Sequence, residues 1–523
     1  MMKKYVLAID LGTGGCRSSL YDENGQSIGS VFEQIETRYH QNDFHEQRPD
    51  DWVVAVISSI KKLLAFAFEE NNISSKEIVC IGIGGHSLGT VPLDCHGNLL
   101  LEWTPIWSDG RAENQAKKFF TKMEEDDWYS RTGCGFPVAN YPLFKISWFQ
   151  DHFPDLFGKI DKVLGTKDYV NFRLTGKMAT DFSYASGYGV WNLVQNCFDQ
   201  DILNCAGLSA SLFPEVRLAT DCIGTLLPEI ANELGLIPET KVIVGGIDNS
   251  CIALGALCNQ VGQCAGSLGS SSWLTVCSDK PLIDTKDRPF IFNHLIPGYY
   301  LNFKGVFSTG TTMRWLRDTL CQNIKQQALE TGRNPYFLMQ EAASLSSIGA
   351  NQLIMNPCFI GSASSKSQRN IRGAFWGLSL SHTQGDIIRA TLEGIAMSLR
   401  EAWNQLSSLI SIENPIHLVG DPLTNLSRYM YANILAHSIC TTSKSQSVPA
   451  LGVAALALVG SDIWSDFSPL NSIDQDSKMI TEPDNVCVAK YERVFYVYQK
   501  TIPFLQKIAQ CWDEDIFLID ESN

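Results

Sequence analysis

The sequence lacks an excess of basic residues and has few charges of either sign. Charged residues make up 19% of its 523 positions, and the formal net charge is −15. A protein that binds nucleic acid or an anionic membrane needs a basic face, so we expect neither kind of partner. With 45% hydrophobic residues, the chain also has too much apolar material to be disordered.

Regularly spaced cysteines and long apolar runs are missing as well. None of the 16 cysteines forms a Cys-x-x-Cys pair, which argues against a disulfide framework and a structural zinc site. The longest apolar run, Val448–Gly460, has 13 residues and is too short to span a bilayer. Tyr5–Ile9 is too short for the core of a signal peptide. We therefore expect a cytoplasmic protein.

Two glycine-rich turns with hydroxyl side chains lie about half a chain apart. Leu11–Gly15 follows the predicted strand Tyr5–Asp10 and precedes another strand, and Ser267–Ser272 repeats the pattern. Such a turn can wrap a phosphate, because glycine admits close backbone approach and the N–H and O–H groups donate. Either turn alone could be an ordinary hairpin turn. Together they indicate two similar α/β halves with a boundary near residue 255.

Hydrophobic periodicity predicts the main elements around these turns. The clearest helix is Thr383–Ile410, which Ser381 or Thr383 can cap. The other predicted elements are a helix over Asp51–Phe68, strands over Ile78–Gly82 and Lys241–Val244, a buried helix over Leu451–Val459 and an amphipathic tail over Tyr491–Cys511.

Two acids stand where predicted strands end. Asp10 precedes the first turn, and a carboxylate there can hold Mg²⁺ beside a phosphate or simply stabilise the turn. Asp248 follows Gly245-Gly246-Ile247 and precedes a predicted helix, Asn249–Leu257. It can accept a proton from an attacking hydroxyl, or act as the N-cap of that helix. Arg17, on the next strand, is either within reach of phosphates or an ordinary strand-edge residue.

Two further segments carry groups that suit a polyhydroxylated ligand. Trp107-Ser108-Asp109-Gly110-Arg111 combines an indole, an acid and a base, which is typical of a sugar site, although a surface turn with one packed Trp has the same composition. His86 and Ser87 lie in a loop, Gly84–Gly89, after a predicted strand. They can donate to hydroxyls, or His86 can be structural.

Together these segments resemble the FGGY carbohydrate kinase family, and within it the xylulokinase-like members, over about residues 5–505. The strongest likeness is Gly373-Ala-Phe-Trp-Gly377-Leu378, followed by Asp386-Ile387 and by Ala390-Thr391-Leu392-Glu393. A second signature lies around a set of seven residues: Pro142, Lys145, Ile146, Trp148, Phe149, Asp151 and His152. Its first position is Asn140, an unusual residue there.

The resemblance implies an α/β fold of two actin-like/ribonuclease-H-like ATPase domains around a central cleft. Residues 1–254 would form the sugar-binding domain. Residues 255–523 would form the nucleotide-binding domain, with a C-terminal helix docking back. The implied ligands are MgATP and a small sugar or polyol, and a homodimer is compatible with the sequence.

Family similarity also implies a role for each candidate site residue. Asp248 matches the catalytic base and also contacts substrate, and Asp10 matches the carboxylate on the Mg²⁺ side. The implied ATP-binding residues are Gly12, Thr13, Arg17, Gly269, Ser270, Gly310 and Gly420. The implied substrate-binding residues are His86, Ser87, Trp107, Asp109 and Asn140.

The chain departs from the family pattern at three places. Leu88 replaces a usually polar residue that reads a substrate hydroxyl. The adenosine motif, usually three successive glycines, retains only Gly420 within residues 418–425. The segment Gly361-Ser-Ala-Ser-Ser-Lys366 lacks the Gly-Glu-Arg of many relatives, so it identifies no substrate.

The leading hypothesis is an ATP-dependent carbohydrate kinase that transfers the γ-phosphate to a hydroxyl of a ketose, polyol or related sugar, with xylulose as the first choice. Gluconate, ribulose and signalling furanones stay open because of Leu88 and Asn140. The alternative is a non-catalytic sugar sensor with weakened ATP binding, suggested by the altered adenosine motif. A chaperone-like or filament ATPase of the same superfamily would lack the Trp107 segment and the two signatures.

Overall fold

The computed structural model describes residues 3–40, 43–306, 308–359, 371–412, 415–420, 423–473 and 477–513. The chain forms two compact units. Unit 1 comprises residues 1–261, 277–302 and 447–476, and unit 2 comprises residues 262–276, 303–446 and 477–523. Unit 1 therefore takes three segments of the chain, whereas the sequence led us to predict a single boundary near residue 255.

Unit 1 is built on a seven-stranded mixed sheet. Its strands are β1 (Tyr5–Gly12), β2 (Gly15–Asp22), β3 (Ser27–Gln34), β4 (Ile78–Gly85), β5 (Cys222–Thr225), β6 (Lys241–Ile243) and β7 (Gly246–Ile247). They run in the order β5-β6-β4-β1-β2-β3, and β7 pairs with β4 beyond β6. The strands β1, β6 and β7 are parallel to β4, and β2 is antiparallel to β1.

The residues of β1 alternate between two apolar layers, as a strand buried on both faces requires. Leu7, Ile9 and Leu11 pack with helices α1 (Pro49–Asn71) and α3 (Thr166–Thr175). Val6 and Ala8 pack on the other face, with α5 (Asp248–Gly255) and α9 (Val448–Gly460). The predicted apolar face of the first helix is confirmed, since Trp52, Val56, Ile60 and Leu63 are all buried in α1.

Helices α5 and α9 cross in very close contact through two glycines. A Cβ atom on Gly452 would lie 1.9 Å from the carbonyl oxygen of Cys251, and one on Gly255 would lie 2.2 Å from that of Val448. No side chain fits at these distances, so the absence of a Cβ sets the depth at which α5 sits on α9. That depth matters because Asp248 is the first residue of α5.

Unit 1 also contains α2 (Pro142–His152) and α4 (Phe182–Ser186). Its other helices are Glu113–Phe119, Glu125–Thr132, Pro154–Phe157, Gln200–Ala206 and Pro228–Leu234. The remaining short strands are Arg38–His40, Phe44–Gln47, Val91–Leu93, Thr104–Pro105, Lys162–Leu164, Ala179–Asp181, Trp191–Asn192, Cys197–Phe198, Glu215–Arg217 and Phe290–Asn293.

Unit 2 repeats the pattern of a hairpin followed by a parallel neighbour. Strands β8 (Cys264–Leu268) and β9 (Ser272–Ser278) form the hairpin, and β11 (Ile416–Gly420) lies parallel to β8. The sheet also includes β10 (Tyr300–Val306), β12 (Ile439–Thr442) and β13 (Lys478–Thr481). A separate pair, Ile354–Asn356 and Ala374–Trp376, is antiparallel.

The helices of unit 2 include the one that the sequence predicts most clearly. The structure has it as α7 (Gln384–Leu409), with Thr383 as N-cap and Asp386 completing a capping box, so this prediction is confirmed. The other helices are α6 (Gly310–Thr319), Gln322–Thr331, Pro335–Ser344, α8 (Asn425–Leu435) and α10 (Asn485–Asp513). Tyr491 of α10 contacts Arg389 and Glu393 of α7 through its hydroxyl group.

Within the described ranges, no helix combines the length and the apolar character that a membrane crossing would need.

The close crossing of α5 and α9 predicts a specific effect of Gly452→Ala. Although alanine favours a helix over glycine, its methyl group would overlap the Cys251 carbonyl. We expect the free energy of unfolding to fall by about 1–3 kcal/mol, as overpacking does. Gly158→Ala is the control, because its added Cβ would meet nothing closer than 3.5 Å. Equal denaturant midpoints for the two variants would contradict this reading of the crossing.

Candidate active site

Asp10 and Asp248 come to the same edge of the sheet of unit 1. In the strand register, Asp10 of β1 lies beside Gly84 of β4, and Gly246 of β7 lies beside the same Gly84. Since both neighbours run parallel to β4, β1 delivers Asp10 and β7 delivers Asp248 at the carboxyl ends of their strands. That edge is where α/β sheets place ligands.

The two acids also share one side of the sheet. Asp10 has the same parity along β1 as Val6 and Ala8, which face α5 and α9. Between the two acid-bearing strands, Gly84 offers no side chain, and a Cβ there would lie 2.8 Å from Val453 and 3.1 Å from the Sγ atom of Cys251. The start of α5 and Asp10 therefore stand close together, with no side chain of β4 between them.

The local environment makes both carboxylates unusually basic. Burial raises the pKa of Asp248 to about 7, and the negative charge of Asp10 adds to this shift. Burial raises the pKa of Asp10 to about 6, against the opposing effect of Arg17, which stands opposite Asp10 in the β1–β2 register. A carboxylate with a pKa near 7 suits the acceptance of a proton at neutral pH.

Asp248 is not the N-cap that one interpretation of the sequence suggested. Ile247 occupies the N-cap position, and Asp248 is the first helical residue of α5. Its Oδ1 accepts a hydrogen bond from the N–H group of Asn249, at 2.7 Å. The predicted strand before it is also shorter than expected and ends at Ile243, because Gly245 takes a left-handed φ of 74° and turns the chain.

The first glycine-rich turn is tighter than the sequence suggested. Strands β1 and β2 extend to Gly12 and Gly15, which pair with each other, so that only Thr13 and Gly14 form the turn. The Thr13 carbonyl accepts a hydrogen bond from Gln47 at 2.7 Å. Its hydroxyl oxygen accepts one from the indole N–H of Trp107 at 2.8 Å. The hydroxyl hydrogen of Thr13 is thus directed away from Trp107.

His86 lies beside the same strand ends and is neutral. Its backbone N–H donates to the carbonyl of Leu11 at 3.0 Å, and its Nδ1 lies 3.1 Å from the hydroxyl of Thr166. Burial lowers its pKa to about 4. Its Nε2 atom is buried and has no hydrogen-bond partner among the described residues, so it can serve a ligand hydroxyl. The neighbouring Ser87 is also buried.

Lys145 connects the two loops that carry the predicted substrate-binding residues His86, Ser87, Trp107 and Asp109, which we call the sugar-side loops. Its ammonium group donates to the carbonyl oxygens of Leu88, at 3.1 Å, and of Ile106, at 2.6 Å. Leu88 has a φ of 58°, a conformation that is costly for a bulky residue. Burial lowers the pKa of Lys145 to about 7. The sequence placed Lys145 in a family signature but gave it no role, although a lysine among Leu143, Phe144 and Ile146 is itself unusual.

Asp109 does not present a free carboxylate to a ligand. It is fully buried, and Arg111 binds both of its oxygens, at 2.8 and 2.6 Å. Its Oδ2 also accepts from the backbone N–H of His45 at 2.8 Å. These contacts hold the Asp109 side chain in place, and its contact with substrate stays a prediction. Asn140 supports the same segment, since its side-chain amide donates to the carbonyl of Trp107 at 3.0 Å.

In unit 2, the second glycine-rich turn is joined to the start of α6. The N–H of Gly310 donates to the carbonyl of Gly269 at 2.9 Å, and the N–H of Thr309 donates to that of Ser270 at 3.1 Å. A Cβ on Gly310 would lie 2.6 Å from the Gly269 carbonyl oxygen. The three candidate residues Gly269, Ser270 and Gly310 therefore lie together.

Gly420 lies at the same sheet edge of unit 2. It pairs with Leu268, directly before the turn, and its φ of 129° and a Cβ contact of 2.0 Å to the Leu268 carbonyl oxygen both require glycine. Its N–H donates to Ser445 at 2.6 Å. Positions 421–422 of the altered adenosine motif and the segment 361–366 lie outside the described residues.

The chemistry of Asp10 suits a hard divalent cation. It is an oxygen ligand at a poorly solvated sheet edge, with a second carboxylate nearby and one arginine to offset them. Across the described ranges, no cluster of three or more His, Cys, Asp or Glu side chains could hold a metal by itself. A site of one or two carboxylates is the kind that Mg²⁺ uses when phosphate oxygens and water supply the other ligands.

Comparison with known proteins agrees with this geometry. The N-terminal domain model of the FGGY family of carbohydrate kinases matches residues 5–255, and the C-terminal domain model matches residues 264–461. The chain is 28% identical to a xylulose kinase of Bacillus subtilis over 95% of this chain and 96% of that protein.

Solved structures are similar over nearly the whole chain. A ligand-bound xylulose kinase from Lactobacillus acidophilus has a TM-score of 0.87 and 26% identity, and covers 97% of this chain and 100% of its own. A gluconate kinase from Lactobacillus acidophilus has a TM-score of 0.86 and 25% identity, with coverage of 98% and 100%.

The two α/β units have the actin-like ATPase fold. The chain belongs to the FGGY family of carbohydrate kinases and is of the xylulokinase-like kind. It is therefore an ATP-dependent sugar kinase, as the leading hypothesis had it. The comparisons give no support to the non-catalytic alternative.

The raised pKa of Asp248 predicts how stability depends on pH. Below about pH 4, Asp248 is protonated in the folded and the unfolded chain. Above that, the unfolded chain ionises first, because the folded pKa is about 7, so the wild type loses stability relative to Asp248→Asn as the pH rises. Thermal melts at pH 5 and pH 8 should therefore show a melting temperature advantage of Asp248→Asn that is larger at pH 8. An advantage that shrinks between these pH values would contradict this assignment.

Proposed function

We propose that this kinase phosphorylates a hydroxyl group of a neutral ketose or polyol, and that the acceptor binds in unit 1 beside Asp248. The observation that carries the proposal is the pair Asp10 and Asp248, which the register of β1, β4 and β7 brings to one sheet edge. Asp248 is suited to accept a proton, and Asp10 is suited to bind a cation that also binds phosphate.

In the proposed reaction, the acceptor oxygen attacks the γ-phosphorus of ATP in line, and the bond from that phosphorus to the bridging oxygen of ADP breaks. Asp248 accepts the hydroxyl proton as the oxygen attacks. In unit 1, we assign phosphate contacts to Gly12 and the Thr13 hydroxyl, with Arg17 adding positive charge. For unit 2, we assign nucleotide-binding roles to Gly269, Ser270, Gly310 and Gly420.

We assign the Mg²⁺ site to Asp10. When bound there, the ion would neutralise charge on the phosphates. Asp10 would hold that cation, and in the metal-free chain its charge contributes to the raised pKa of Asp248.

The charges around the sugar-side loops favour a neutral acceptor over a sugar acid. In segments 84–89, 104–111 and 136–145, the cations are already engaged: Lys145 binds two carbonyl oxygens, and Arg111 binds Asp109 and Glu46. His86 is uncharged at neutral pH. The carboxylate of an aldonate would thus have no free cation here. Trp107, Ser87 and the free Nε2 atom of His86 suit an uncharged, polyhydroxylated chain.

Two names among the relatives define the specific candidates. Xylulose, the substrate named for the Bacillus subtilis relative, is a neutral ketose and is the acceptor that we propose. Gluconate, named for the Lactobacillus acidophilus structure, is the sugar acid that the engaged cations disfavour. The side chain of Leu88 cannot form a hydrogen bond with a substrate hydroxyl group. Ketoses and polyols related to xylulose are therefore further candidate substrates.

We place the enzyme in a reducing cytoplasm. All sixteen cysteines fall within the described ranges and none is in a disulfide, and Cys95, Cys197 and Cys511 are exposed. An oxidising compartment would put these exposed thiols at risk of pairing.

The test is an ADP-release screen of the wild type, Asp248→Asn and Asp155→Asn over ketoses, polyols and sugar acids. We expect the wild type to prefer a neutral sugar. Asp248→Asn should lose at least ~10²-fold in kcat, as expected for a positioned base, while calorimetry shows that it still binds the sugar. Asp155, in the exposed helix Pro154–Phe157, is the matched control and should change little.

Near-normal turnover by Asp248→Asn would overturn the assignment of the base. Preference of the wild type for gluconate over every neutral sugar would overturn the proposed substrate class.

A further inference from the structure

A cluster of three buried charges lies in unit 1 outside the residues discussed so far. The ammonium group of Lys167 is 2.5 Å from Asp168 and 3.0 Å from Asp181, and none of the three side chains is more than 1% exposed. Removing three charges from water is costly, and well-packed apolar residues often serve stability as well. Part of the cluster serves the fold, since Asp168 and Asp181 accept backbone N–H groups at the starts of α3 and α4.

The cluster reaches the short segment that ends at Asp248. The Val244 carbonyl, at the start of that segment, accepts hydrogen bonds from Asn171 at 2.9 Å and from Lys167 at 3.3 Å. At its end, the N–H of Ile247 donates to the hydroxyl oxygen of Ser183 at 3.1 Å. Both ends of Val244–Ile247 are thus fixed, and Asp248 is the next residue.

Ser183 connects the Ile247 N–H to the charge cluster. Its hydroxyl group donates to Oδ2 of Asp181, whose Oδ1 faces Lys167. Because that hydroxyl hydrogen is committed to a carboxylate, the Ser183 oxygen is oriented to accept, and Ile247 N–H is the donor that it meets. The Lys167–Asp181 ion pair in this way fixes the direction of one backbone N–H group directly before Asp248.

The backbone of Val244–Ile247 has little conformational freedom with which to adjust if a hydrogen bond at either end is lost. Gly245 takes a φ of 74°, and a Cβ there would lie 2.0 Å from the Ile83 carbonyl oxygen. A Cβ on Gly246 would lie 2.3 Å from the Leu295 side chain. The path of the backbone into Asp248 is therefore set by close contacts along it and by hydrogen bonds at its ends.

We propose that Ser183, held by the Lys167–Asp168–Asp181 cluster, is a positioning residue that fixes the carboxylate of Asp248 for proton acceptance. The inference rests on the proposed role of Asp248 as the base. Small displacements of a catalytic group are costly, since a shift of about 1 Å can reduce a rate ~10²-fold. Loss of the Ser183 hydroxyl should therefore act on kcat more than on substrate binding.

The test compares Ser183→Ala with Ser186→Ala. Both serines are buried in α4, and each hydroxyl bonds a side chain and a backbone N–H, with Ser186 also bonding the carbonyl of Phe182. Ser186 bonds the side chain and the N–H of Asn293, whereas Ser183 bonds the N–H of Ile247, directly before Asp248. The two substitutions should thus cost similar stability. We expect Ser183→Ala to lower kcat at least about tenfold per folded enzyme, with the KM values for sugar and ATP within about twofold of wild type. Ser186→Ala should keep kcat.

Equal kcat values for the two variants would overturn the inference, since a merely structural serine would affect only the melting temperature. If Ser183→Ala does not fold, Asn171→Leu takes its place, because it keeps the volume but removes the donor to the Val244 carbonyl. It should also lower kcat selectively, and an unchanged kcat would count against the proposal. A wild type inactive on every sugar would refute the proposed function instead, so the two failures are distinguishable.

Discussion

Two carboxylates must share one poorly solvated edge of a sheet, and the rest of unit 1 depends on this constraint. Burial raises the cost of ionising both acids, and the negative charge of Asp10 raises it further for Asp248. The strand between them carries Gly84 in register with both acid-bearing strands, so no side chain separates or screens them. The proposed chemistry depends on this unfavourable arrangement. It gives one carboxylate a raised pKa, as a general base needs, and leaves the other suited to bind a cation.

The residues around Asp10 and Asp248 fix the position of the two acids without neutralising their charges. Helix α5 is fixed from one side by the glycine crossing with α9 and from the other by the Ser183 contact before Asp248. In the sugar-side loops, Lys145 and Arg111 are occupied with carbonyl and carboxylate oxygens of the protein. Their charges organise the walls of the site, whereas the groups left for a ligand are neutral. In the proposed reaction, the negative charge of the site lies beside Asp248, where the hydroxyl proton leaves.

Local patterns in the sequence predicted a good part of this. The β1–β2 hairpin, the helix that starts after Gly245-Gly246-Ile247 and the capped helix α7 all follow from glycine placement, capping residues and apolar periodicity, which act over a few residues. The convergence of Asp10 with Asp248 was suggested only by each acid standing at the end of a strand. The resemblance to a known family supplied the roles that these patterns could not.

Contacts between distant residues lay beyond the sequence. Nothing local indicates that Trp107 donates to Thr13, that Arg111 occupies the carboxylate of Asp109, or that the apolar helix Val448–Gly460 belongs to unit 1. Each depends on tertiary packing that brings together segments tens to hundreds of residues apart. Gln47 and Ser183 were missed for the same reason, since single polar residues become functional candidates only once their hydrogen-bond partners are known.

The most direct test of the central claim is a crystal structure of the enzyme with xylulose, Mg²⁺ and a non-hydrolysable ATP analogue. The account predicts an acceptor hydroxyl within about 2.6–3.2 Å of the Asp248 carboxylate, as a general base requires, with the metal ion on the side of Asp10. A sugar bound with its hydroxyl groups remote from Asp248, and with another side chain in contact with the reacting oxygen, would contradict it.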